Sequence, residues 1–88
     1  MIARILHEGQ YELPAVALGD LRRLDDALME RLTAGDESGF GRQRDALLAL
    51  VRSEGRMLPA EVLRESDLVL PPADMTLAEA RALFTQHA

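Results

Sequence analysis

Few residues of this chain have the type or spacing for chemistry. His7 and His87 are its two histidines, the side chains whose charge ordinarily changes near neutrality. A metal site would need them joined by carboxylates, and neither lies in an HxxxH or HExxH pattern. A small metal-dependent enzyme would require His7 to converge with Glu12 or Asp67. Asp25-Asp26 and Asp36-Glu37 are adjacent carboxylate pairs, but neighbouring helical residues point about 100° apart and do not converge on one substrate. Asp36 reads as a helix cap and Asp25-Asp26 as a helix surface. Gly39 and Gly41 are isolated, no strand precedes them, and no phosphate loop or nucleophile elbow is present. No catalytic residue, metal or cofactor is expected, and the chain reads as non-enzymatic.

Gly9-Gln10-Tyr11 has two readings. A turn bearing the single tyrosine beside an amide could form a recognition surface. Alternatively Gly9 supplies a positive φ, and Tyr11 fills the core beside Phe40 or Phe84 with its hydroxyl reaching water. Pro71-Pro72 is likewise either a rigid exit from a strand or a short polyproline docking surface.

The elements that must position these residues follow from periodicity. Ile2 to His7 reads as a strand, Glu8-Gly9 as a turn and Gln10 to Leu13 as a second strand. A helix begins near Pro14 or at Asp20, with Leu21, Leu24, Leu28 and Leu32 forming one apolar stripe. Gly35 ends it and Asp36 caps a second helix over 37–54, whose apolar positions are Phe40, Leu47, Leu48, Leu50 and Val51, with Gly55 as terminator. Gly39 and Gly41 predict weak first turns. Arg42, Arg44 and Asp45, like Arg52, Glu54 and Arg56, read as solvated charges.

A helical turn is expected after Pro59, then a strand over Ser66 to Leu70 that Pro71-Pro72 ends. Thr76 to Glu79 has capping-box spacing and opens a last helix with Leu77, Ala80, Leu83 and Phe84 on one face. The two β segments are too far apart for a hairpin, so the ends must meet. The fold class is α+β: a helical hairpin plus a short terminal helix on a two- or three-stranded sheet made by the N-terminal segment and residues 66–71, in one domain over 1–88.

Composition narrows the partners. The chain has 88 residues, no cysteine and a net charge of −5, which excludes disulfide staples and disfavours phosphate backbones and anionic lipid. All its basic residues are arginines, and aromatics are limited to Tyr11, Phe40 and Phe84, so base stacking is scarce. No signal peptide or membrane span is expected, and the localisation read from this is cytoplasmic.

MIARILHEGQYELP, LRRLDDAL, LLALVRSEG and SDLVLPPADMTLAEARALF together resemble the PspA-associated domain family (PspAA), in order and over nearly the whole chain. The resemblance implies a non-enzymatic cytoplasmic component of the phage-shock-type envelope stress response. It would bind PspA, a coiled-coil membrane-remodelling protein, or another member of that system, and be recruited to the inner face of the membrane through it. Gly9, Gln10, Tyr11, Asp67, Leu68, Pro71 and Pro72 match the family pattern and are the expected partner-binding residues. Homodimerisation through a strand edge is a secondary expectation. The competing class is a nucleic-acid-linked regulator using the helical hairpin, for which Arg42, Arg44 and Arg52 would have to form a basic face.

Overall fold

The computed structural model describes residues 1–62 and 64–84; the expectations placed on His87 and on the Phe84 side chain lie outside what it describes. The ends do meet. Strands β1 (Ile2–Ile5) and β2 (Gly9–Glu12) form an antiparallel hairpin, and β4 (Leu68–Leu70) pairs parallel with β1, setting Ala3 opposite Leu68 and Ile5 opposite Leu70. Asp67 fixes that register twice: its N–H donates to the Ile2 carbonyl and its carboxylate accepts from the Ile2 N–H, both at 2.8 Å.

A two-residue strand, β3 (Arg56–Met57), adds to β2 and gives the sheet order β3-β2-β1-β4, one strand more than the periodicity predicts. Two residues are too short for an alternation to register. The turn after Pro59 is a single one, closed by Val62 N–H on the Pro59 carbonyl at 3.0 Å. The hairpin turn also sits one step earlier than expected. Strand β1 stops at Ile5, His7 takes the left-handed position at φ 68°, and Gly9, at φ 144°, opens β2.

Pro14 leads through a 3-10 turn (Ala15–Ala17) into α1 (Leu18–Ala34). Gly35 closes α1 in the left-handed conformation at φ 72°. The Asp36 carboxylate then accepts the Gly39 N–H at 2.9 Å and starts α2 (Glu37–Glu54). The first turns of α2 are therefore formed, against the weakness that two glycines predict. A Cβ on Gly39 would strike the Asp36 carboxylate and the Arg31 side chain, so the absence of a side chain there is what lets the cap seat. Gly55 ends α2 in an extended conformation, and its bare Cα lets the helix end approach Tyr11 and Leu13.

Helix α3 (Leu77–Phe84) opens on the expected capping box: Thr76 N–H donates to the Glu79 carboxylate at 2.9 Å and Glu79 N–H to the Thr76 hydroxyl at 3.1 Å. The core between helices and sheet is built from Ile5, Leu21, Leu32, Phe40, Leu47, Leu48, Val51 and Leu70, all fully buried. Leu24, Leu50 and Leu77 pack against it, while Leu83 stays exposed. Between β3 and β4 the described residues Leu58, Arg64 and Ser66 each make contact with Gln10.

Candidate partner-binding groove

Alternation along β4 turns Leu68 and Leu70 toward the helices and leaves Val69 41 % exposed on the edge strand. Helix α1 lies across from this edge, and the gap between them is not filled. The result is a groove of about 230 Å³ lined by Leu28, Met29 and Leu32 of α1, Phe40 of α2, and Leu68 to Pro71 of β4 and its exit. Met29 at its mouth is 39 % exposed. The one ionisable lining residue is Asp25, half-buried there; desolvation, with the neighbouring Asp26 charge adding, raises its carboxyl above the ordinary carboxylate value. The groove is thus apolar with one partly desolvated carboxylate at its rim.

The expected partner-binding residues divide sharply. Leu68 and Pro71 line this groove, Asp67 is exposed beside it but holds the Ile2 N–H, and Pro72 is partly buried. Gln10 and Tyr11 are buried, and Gly9 is half-buried at the start of β2, on a second shallow cleft shared with Met57 and Pro59. The Gln10 side chain is 6 % exposed, and its amide donates to the Arg64 carbonyl at 2.6 Å and the Ser66 hydroxyl at 2.8 Å. It pins the crossover segment to the sheet.

Tyr11 is buried, as its core-filling reading has it, and its hydroxyl has a protein partner. It donates to the Glu8 carboxylate at 2.6 Å. Glu8 in turn is gripped by Arg52 through Nε at 3.0 Å and Nη2 at 2.6 Å. These donors hold the Glu8 carboxyl down at about 2, Arg52 first and Tyr11 second, and the same contact pushes the Tyr11 phenol up. Two arginines expected to be solvated are therefore structural. Arg52 ties α2 to the hairpin loop, and Arg44, its side chain 16 % exposed, donates to the Met75 carbonyl at 2.9 Å and lies over the Phe40 ring.

Of the expected metal set, Glu12 pairs with Arg56 at 2.7 Å and Asp67 serves Ile2. Among the described residues no three metal-ligating side chains converge, and no helix is long and apolar enough to cross a membrane. Sequence reasoning missed Asp25, Met29 and Val69. A signal existed for Asp25, which stands four residues after Leu21 and three before Leu28, beside the apolar stripe.

The fold is that of a small α+β domain: a mixed four-stranded sheet, a helical hairpin and one short helix, with a single-carboxylate apolar groove at the β4 edge. The chain belongs to the PspA-associated protein family, whose model matches residues 1–88, so it is a relative of proteins named for their association with PspA. No curated protein and no solved structure shows significant similarity to it.

Proposed function

We propose that this domain is a non-enzymatic adaptor of the phage-shock-type envelope stress response, binding PspA or another component of that system through the groove between α1 and β4. The observation that carries the reading is the contrast between this open apolar cleft and the polar residues elsewhere: Gln10, Tyr11, Glu8, Arg44 and Arg52 are spent on contacts that hold the fold. Membership of the PspA-associated family supports PspA as the partner. A cleft of about 230 Å³ is below the roughly 300–1,000 Å³ of small-molecule sites and suits an inserted side chain. Arg44 and Arg52 are engaged in contacts within the fold, which argues against a basic nucleic-acid face on α2. In this reading the domain works in the cytoplasm and reaches the inner membrane face through PspA, a coiled-coil protein. Calorimetric titration against the PspA of the same genome tests it: saturable binding at micromolar or tighter affinity supports it, and no heat with a folded partner overturns it.

A further inference from the structure

The groove's chemistry limits what can occupy it, and the limits follow from its two edges. On the β4 side the free edge is three residues long and ends at Pro71-Pro72. An added strand would find at most two residues' backbone groups to pair with and then a proline barrier. On the α1 side, Met29 separates the groove from a shallow surface lined by Asp26, Glu30 and Thr33. Asp25, Asp26 and Glu30 thus form an acidic rim around one exposed methionine. None of the three has an ion-pair partner among the described residues, whereas Asp20, Asp36, Asp45, Glu8 and Glu12 are each matched by an arginine.

That rim decides between occupants. A second copy docked groove to groove would bring two such carboxylate clusters into one interface, and neither the groove nor the shallow surface beside it is lined by a basic residue that could offset them. A phosphate-rich surface is repelled for the same reason.

Resting on the adaptor reading above, we propose that the groove receives a helical segment of the partner. Its large aliphatic or aromatic residue enters between Leu68 and Met29, and arginines or lysines one turn away pair with Asp25, Asp26 and Glu30. A helix offers that arrangement naturally, since residues three and four apart share a face and an apolar anchor is then flanked by its basic neighbours. Asp25 is already partly stripped of water by the groove, so a cation brought to it regains an interaction that solvent no longer supplies in full.

The test is titration of the domain and three variants against the PspA of the same genome at two salt concentrations. Asp26→Lys and Val69→Glu change exposed positions at the two lips, and circular dichroism checks that each is folded. Glu61→Lys makes the same charge change as the first variant, on the crossover segment. The expected result is at least tenfold weaker binding for Asp26→Lys and Val69→Glu, less than threefold change for Glu61→Lys, and weakening of the unsubstituted domain with salt. Unsubstituted binding that neither lip variant weakens overturns the groove and leaves the adaptor reading standing. Equal weakening by Asp26→Lys and Glu61→Lys also overturns it, in favour of attraction by net charge. Absence of any binding by the unsubstituted domain overturns both.

Discussion

Arg52 grips Glu8 with two hydrogen bonds, at 2.6 and 3.0 Å, across 44 residues of sequence, and so clamps the last turn of α2 onto the β1–β2 loop. The clamp is titratable. Because the folded state lowers the Glu8 carboxyl from 4.5 to about 2, its contribution is full above pH 4.5 and is lost as pH falls toward 2. Arg52 is 44 % exposed, and water screening holds the contribution to about 0.5–1 kcal/mol. Glu8→Gln is expected to lower the melting temperature at pH 7 by roughly 2–8 °C, a deficit that shrinks toward pH 2. Thermal unfolding followed by circular dichroism across that range reads both; a deficit independent of pH would contradict the account.

Tyr11, the single tyrosine, reports the same clamp from the other side. Its phenol, held above the ordinary 10 mainly by donating to Glu8, should ionise late, with stability lost as pH rises through that raised value. Tyrosinate absorbance in Glu8→Gln is expected to appear at lower pH than in the unsubstituted protein.

Two glycines of α2 should answer alanine differently. Gly41 has room for a methyl group, with Arg44 at 3.8 Å as its nearest neighbour, so Gly41→Ala is expected to stabilise by about 0.5–1 kcal/mol. Gly39→Ala must displace the Asp36 cap, which costs about 1 kcal/mol and cancels the propensity gain. Urea unfolding of the pair should find the first variant more stable and the second unchanged or weaker.

Asp25 predicts the opposite pH trend from Glu8. Its carboxyl is raised in the folded state, so the protonated form carries a stabilisation that is complete below the ordinary value of 3.8 and lost as pH rises through the raised one. Asp25→Asn is expected to gain about 0.5 kcal/mol at pH 7 and nothing near pH 3, while weakening partner binding. Urea unfolding at the two pH values, with a titration of the partner at pH 7, checks all three.

Much of the fold is legible in the residues because local rules agree there. The 21-24-28-32 leucine stripe, the Gly35-Asp36 stop and start, and the Thr76–Glu79 box each specify their element without help from distant chain. What stays hidden is what distance decides. Glu8, Tyr11 and Arg52 look like a turn acid, a tyrosine and a helix-surface arginine until α2 returns to the hairpin, and Gln10 looks like a polar strand residue until residues 64–66 cross it. The groove belongs to the same class. Leu68 and Pro71 are conspicuous in sequence, but Asp25, Met29 and Val69 meet them only through tertiary packing.

Hydrogen exchange of the domain with and without PspA tests the central claim most directly, because it locates the contact without altering a residue. The account predicts slowed exchange confined to residues 25–33 and 68–71, with the Tyr11–Gln10 region and residues 56–62 unchanged. Protection centred on 56–62, or on the exposed side of α2, would place the partner elsewhere and contradict the groove as its site.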